Sequence, residues 1–263
     1  MIKTIAALFC LTLCPAFADP IVVPFEDAYL PFSAMGNDGK PAGFNVAVAE
    51  EIAERLDAEI EFTSVDFDTI QFGSWPSDWV FSVASMSRST EREENFAFVG
   101  PYYFDQVVIV AGAHSGLGFD RSTLQGHDFG VCRGCIYALY LEGTDTLYID
   151  GQRADAPFGT VTVKTYLTDF DVLRALGEAD PPEIDYGVTS VFHALYYEDQ
   201  GFPVRHDPEP LFVEPLWIVV PLSRPDDIAA VTAAFDDLKN SGRLAELSVA
   251  YLGADFTALP GTN

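Results

Sequence analysis

The segment Ser85-Met86-Ser87-Arg88-Ser89-Thr90-Glu91-Arg92 follows the apolar run Val80-Phe81-Ser82-Val83-Ala84 and precedes Pro101-Tyr102-Tyr103. It places two guanidinium groups and four hydroxyls within eight residues of a chain whose formal charge is −26. Arginine presents a planar fork of donors that matches a carboxylate, and serine and threonine hydroxyls complete such a ligation. Spacing alone leaves two readings open, an anion clamp or a polar turn between a buried strand and a loop. Open α/β sheets hold their ligands at the ends of strands, so the segment tells both which fold to look for and where its site would be.

Outward from this stretch the chain reads as repeated strand and helix. Pro20 to Pro24 is a short apolar strand, and Phe44, Val48, Ile52 and Leu56 recur every four residues on one helix face. Ile60 and Phe62 then alternate with glutamates as a strand, and Gln106 to Ala111 is a continuous apolar strand. Beyond it the rhythm restarts with a strand at Phe129 to Cys132, a helix at Cys135 to Leu141, a strand at Thr160 to Lys164, a helix at Asp169 to Leu176 and a strand at Ile184 to Thr189. The strand Leu211 to Val220 leads into a helix from Pro225 to Leu238, where proline suits the first turn, and Leu244, Leu247 and Tyr251 mark a last short helix. The expected fold class is α/β, with two α/β lobes joined by two strands. Residues 19–105 and 212–263 form a discontinuous first lobe, 106–211 the second, and the cleft between them closes by hinge motion.

Composition narrows the function classes. Lys plus Arg number 14 against 40 Asp plus Glu, which makes nucleic acid and anionic membrane surfaces poor partners. Lys3, the apolar run Ile5 to Leu13 and the small residues of Ala16-Phe17-Ala18 read as a signal peptide cut near Ala18. Export to the periplasm is therefore expected; lipid attachment is the lesser reading, because neither Cys10 nor Cys14 follows a small residue. Cys132 and Cys135 remain after processing, and in an oxidising compartment this spacing suits a structural disulfide. A redox-active pair stays open, whereas two ligands argue against zinc. No metal or cofactor is expected.

At this point the chain resembles the periplasmic solute-binding proteins of amino-acid ABC importers, the family 3 extracellular solute-binding proteins. The residues that carry the resemblance are Tyr29-Leu30-Pro31-Phe32, Gly43-Phe44-Asn45-Val46, Ser85-Met86-Ser87 with Thr90-Glu91-Arg92, Pro101-Tyr102-Tyr103, and Leu124-x-Gly126 with Gly130-Val131-Cys132-x-Gly134. A Cys-x-x-Cys-containing subgroup is matched by Ser74-Trp75-Pro76-Ser77-Asp78-Trp79 and by Gly130 to Tyr137. The resemblance implies that Arg92 clamps a ligand carboxylate, assisted by Ser87 and by main-chain groups near Ser85, and that Tyr29 and Phe67 lay aromatic rings against the ligand. It also implies a monomer that delivers its solute to an inner-membrane ABC permease.

The second lobe departs from the family pattern. Gly134-Cys135-Ile136 stands where a turn rich in hydroxyls is usual, so the helix end at Ile136 is expected to offer only N–H groups. Ser190 occupies the position of the acid that normally anchors the α-ammonium, and Asp169 is either a substitute anchor or an N-cap. Glu26 meets a polar ligand end or is a solvated loop carboxylate. Arg88 and Arg133 are unmatched cations; if both reach the cleft, the ligand carries more than one negative group. The expected solute is thus a small carboxylate-bearing molecule, an amino acid or an organic acid, and the chain is not an enzyme. Two alternatives remain, an accessory protein of a periplasmic oxidoreductase and a dehydratase-type enzyme on the same fold, which would need a general acid in the cleft.

Overall fold

Two long strands carry the architecture. Phe96–Gly112 and Phe212–Pro221 run antiparallel, paired from Val107 opposite Phe212 to Phe96 opposite Pro221, with a register shift between Leu216 and Ile218. The computed structural model describes residues 20–143, 148–149, 152–153, 156 and 158–259; the expected signal peptide lies outside them. Ser82–Met86 pairs with the second long strand on one side, and Tyr186–Ser190 pairs with the first on the other. Asp128–Cys132 and Thr162–Tyr166 continue the sheet in parallel. One sheet therefore runs through both halves of the molecule. The parallel pair Ile21–Phe25 and Ile60–Ser64 completes the first half.

The first long strand is longer than the run Gln106 to Ala111 suggests, because it passes through Gly100-Pro101. No ladder pairing covers residues 100–102, which sit at the register shift opposite Trp217. Proline lacks the N–H that a ladder needs, and a bulge is where a strand tolerates that loss. Beyond the bulge the side chains alternate. Val107, Ile109 and Ala111 pack with Phe129, Val131 and Tyr186, whereas Val108 and Val110 pack with Val172, Leu173 and Leu176 on the other face.

The chain returns to its first half at the end. Phe44, Val48 and Ile52 of the helix Phe44–Arg55 are buried against Val231, Phe235 and Leu238 of Pro225–Asn240 and Leu244 and Leu247 of Arg243–Leu252. Burying each such side chain contributes about 1.5–3 kcal/mol, so this seam alone fixes the C-terminal helices in place. No helix among the described residues is long and apolar enough to cross a membrane. The result is a mixed α/β molecule whose buried apolar clusters lie in both halves, and the long strands connect the halves across a cleft.

Candidate functional site

Ser85 sits at φ 50, a left-handed conformation that a residue with a Cβ adopts only when held there. Its hydroxyl accepts from Tyr103 Oη at 2.9 Å and Asn45 Nδ2 at 3.2 Å, and its amide donates to Tyr102 Oη at 3.0 Å. Tyr102 Oη in turn donates to Asn45 Oδ1 at 2.7 Å. The first helix and the first long strand thus fix the turn that ends Ser82–Met86. Ser89 caps the short helix Thr90–Glu93 by accepting from the Arg92 amide at 3.3 Å, and this turns the Arg92 side chain inward until it is only 5% exposed.

The guanidinium bridges the cleft. Arg92 Nη1 donates to the Ser87 carbonyl at 2.7 Å, while Nη2 donates to Gln71 Oε1 at 3.0 Å and to the Gly134 carbonyl at 2.6 Å. Its face covers the Phe67 ring at 5.5 Å. Burial pushes the guanidinium down to about 10, with Glu214 and Glu91 acting in the opposite sense. Gly134 belongs to the second half, so this contact and the Arg133 to Asp68 ion pair hold the halves together. Gln71 Nε2 donates to Asp68 Oδ1 at 2.9 Å and ties the two contacts into one patch. On the far side, His193 Nδ1 lies 2.8 Å from the Leu30 carbonyl.

Between these contacts lies a cavity of about 20 Å³, room for roughly one water molecule. Arg92 shares the cavity wall with four acidic residues, Glu26, Asp105, Asp169 and Glu214. Asp105 and Glu214 stand directly opposite one another on the two long strands. Burial raises Asp105 well above the usual carboxylate range, and Glu214 adds to it. Burial likewise lifts Glu214 to about 7, with the Ser87 hydroxyl and Arg92 pulling it down. Asp169 is raised to about 6 by burial and held from going higher by the Thr189 hydroxyl. Glu26 is raised to about 8 by enclosure of its carboxyl and by the charges of Asp169, Asp66 and Asp68. Glu214 Oε2 is buried with no hydrogen-bond partner. An enclosed acceptor in that state calls for a donor, which a cavity water, a ligand group or a cation can supply.

The profile of the bacterial extracellular solute-binding proteins, family 3, matches residues 21–254. The chain belongs to that family. A Vibrio harveyi protein assigned to amino-acid ABC transporter binding is 26% identical, with 91% of each chain covered. The L-cystine-binding protein of Escherichia coli (strain K12) is 26% identical over 90% of this chain and 84% of its own. Among solved structures, an ancestral arginine-binding protein bound to arginine superposes with a TM-score of 0.73 at 24% identity, covering 89% of this chain and 98% of its own. An ancestral amino acid-binding protein, a precursor of cyclohexadienyl dehydratase, shares the fold with a TM-score of 0.72 at 17% identity, over 88% of this chain and 94% of its own. The fold is that of the periplasmic binding proteins, and the amino-acid ABC transporter relatives support solute binding over the accessory and dehydratase readings.

In this solute-binding protein the cavity wall brings together Arg92, Ser87, Ser85, Tyr29, Phe67 and Ile136 from the sequence-derived set. Ser85 spends its hydroxyl on the tyrosine and asparagine network. Two expected contacts lie elsewhere. Arg88 points to solvent, where it pairs with Glu93 and covers the Phe98 and Trp217 rings at 5.4 Å and 5.0 Å. Its neighbour Ser87 faces the cavity, and alternation along an extended segment sends the next residue out. Ser190 is fully buried outside the cavity wall; its hydroxyl donates to Asp105 Oδ1 at 3.0 Å and accepts from the Phe192 amide at 3.2 Å.

Three further expectations change in detail. The cation Arg133 is spent on Asp68 at the cleft rim and does not line the cavity. The helix after the cysteines begins at Tyr137, so the Gly134 turn meets Arg92 with a carbonyl in place of N–H donors. Thr168, not Asp169, caps the helix Asp169–Gly177, by accepting from the Asp171 amide at 3.1 Å. Cys132 and Cys135 form a disulfide, with Cα atoms 5.5 Å apart.

Asp105, Glu214 and Gln71 were not anticipated from the sequence, and Gly134 was expected only as part of a turn offering N–H groups. The two acids had a legible signal, since each interrupts an apolar strand, in Tyr103-Phe104-Asp105-Gln106-Val107 and Phe212-Val213-Glu214-Pro215-Leu216. A carboxylate inside an otherwise buried strand needs a partner or a function. Nothing local marks Gln71, whose contact with Arg92 arises only in the folded chain.

Proposed function

We propose that the protein is exported to the periplasm, binds a cationic amino acid as a monomer, and delivers it to an inner-membrane ABC permease. One observation carries the choice of solute: a single guanidinium shares one enclosed cavity wall with four acidic residues. A ligand carboxylate takes the place of the Gly134 carbonyl on Arg92, next to Ser87. The α-ammonium and a second cationic group meet the carboxyls of Asp105, Glu214, Asp169 and Glu26, with the Tyr29 and Phe67 rings excluding water around them. Ser190 orients Asp105 and so supports the anchor from behind. An organic dianion would find one arginine and a wall of acids, so that reading is set aside.

Halves that separate and close on the solute explain how it enters so small a cavity. We place the lobe boundaries at 105/106 and 211/212, beside Asp105 and near Glu214 on the paired strands, where closing the hinge would bring these two acids under the ligand. Relatives named for L-arginine binding, 29% identical over 126 residues in Pseudomonas aeruginosa, support a cationic side chain. Calorimetric titration of L-arginine, L-lysine, L-cystine, L-glutamate and succinate tests the reading. Cationic amino acids are expected to bind most tightly, and preference for glutamate or succinate would overturn the assignment.

A further inference from the structure

The Cys132–Cys135 disulfide closes a loop with a sequence separation of only 3, so it removes little loop-closure entropy from the unfolded chain. Its position points to another use. Cys135 is partly exposed and lines the ligand cavity, whereas Cys132 is buried behind it. The two sulfurs and a carboxylate oxygen of Asp169 all lie within 4.8 Å of one another. Asp169 also lines the cavity and is held by the Thr189 hydroxyl, with no salt bridge among the described residues. A half-buried cysteine in the cavity wall, a second sulfur behind it and a buried carboxyl within 4.8 Å of both sulfurs form the set of groups that thiol–disulfide exchange uses.

We propose that this disulfide exchanges with a thiol-bearing amino acid bound in the cleft. The inference rests on the amino-acid reading above, since Arg92 has to hold the ligand carboxylate for the thiol to lie against Cys135. Asp169 takes the proton of the ligand thiol, and the resulting thiolate attacks Sγ of Cys135. The Cys132–Cys135 bond breaks as the ligand sulfur bonds to Cys135, and the electron pair leaves on Cys132, which receives the proton back from Asp169. A second thiol then attacks the ligand sulfur, releasing the ligand disulfide and leaving Cys135 as a thiol. Two ligand thiols are oxidised to one disulfide while the protein disulfide is reduced to a dithiol; a ligand disulfide drives the reverse. Burial places Asp169 at about 6, close enough to neutrality to accept and return a proton.

The rate of disulfide loss in the native protein, read by thiol alkylation and intact mass, tests this with L-cysteine against 2-mercaptoethanol at matched thiolate concentration. The rate with L-cysteine is expected to saturate and to exceed that with 2-mercaptoethanol by about tenfold or more, as an oriented reaction does. Arg92→Ala removes the saturation. Asp169→Asn slows the L-cysteine reaction by about tenfold while Asp169→Glu restores part of the rate, as expected for a general base. Cys132→Ser with L-cystine accumulates a mixed disulfide on Cys135, one cysteinyl group heavier. Rates linear in both thiols and equal for both, or a disulfide that resists both, overturn the proposal. The calorimetric panel decides the solute reading separately: amino acids that bind while exchange stays unsaturable remove only the exchange step, and amino acids that fail to bind remove the reading beneath it.

Discussion

Arg92 is a bridge before it is a clamp. Its guanidinium reaches the Ser87 carbonyl, Gln71 and the Gly134 carbonyl of the opposite half, so it ties the two halves together. Truncating one partner of a buried, hydrogen-bonded charge pair costs about 2–5 kcal/mol. Arg92→Ala is therefore expected to weaken amino-acid binding by about a hundredfold or more in calorimetry. Arg92→Lys should rescue little, because a point charge cannot fork between the two halves. Gly134 is constrained twice, by φ 82 and by Gln71 Nε2, which lies 2.1 Å from where a Cβ would stand. Gly134→Ala is expected to hold the halves apart and to lower affinity by about tenfold or more, since left-handed strain alone is worth about 1–2 kcal/mol. Unchanged affinity would show that the Gly134 turn does not need to reach Arg92.

At the scale of elements, the short helix Phe67–Gln71 works as a catch. Phe67 faces the cavity, Asp68 pairs with Arg133 of the other half, and Gln71 holds Arg92. The Arg133 side chain is 50% exposed, and an ion pair so open to water contributes at most about 1 kcal/mol. Asp68→Asn is thus expected to raise the ligand dissociation rate only a few-fold in stopped-flow, with the association rate unchanged. The helices and strands themselves were legible, because an apolar stripe such as Phe44, Val48 and Ile52 follows from one face being buried. Arg92, Tyr29 and Phe67, named from the sequence through the family resemblance, do come together in one cavity wall, and the binding experiments decide whether they hold a ligand. The catch was not legible. Its residues meet across the cleft from distant parts of the chain, and nothing in the local pattern at Gln71 or Gly134 encodes a partner in the other half. Arg88 is different: alternation along its extended segment turns it away from the cavity, and Glu93, Phe98 and Trp217 receive it on the outside.

Across the whole molecule, the cavity carboxyls link proton binding to both stability and ligand binding. Glu26, Glu214 and Asp169 titrate at about 8, 7 and 6 in the folded protein, above the ordinary values of unfolded carboxyls. The folded state holds protons that the unfolded state has released, so the stability these groups contribute is full below about pH 4 and is lost as pH rises toward 8. His193 acts in the other direction: burial lowers it to about 4, against a weaker upward effect of its bond to the Leu30 carbonyl. The unfolded histidine takes up a proton first, so its contribution falls as pH drops from about 6.5 toward 4. Three carboxyls outweigh one histidine in that range, so the ligand-free protein is expected to melt higher as pH falls from 8 to about 4.5, and His193→Gln should steepen that rise in a calorimetric Tm profile. A cationic ligand reverses this trend. It favours ionised carboxylates, so its affinity should rise between pH 6 and 8, with release of on the order of one proton per ligand bound. Titrations of L-arginine in buffers of different ionisation enthalpy measure that proton directly. Proton uptake, or affinity that falls across this range, would mean that the carboxyls meet the ligand in their neutral form as donors, and the solute would then be one that offers acceptors to this wall.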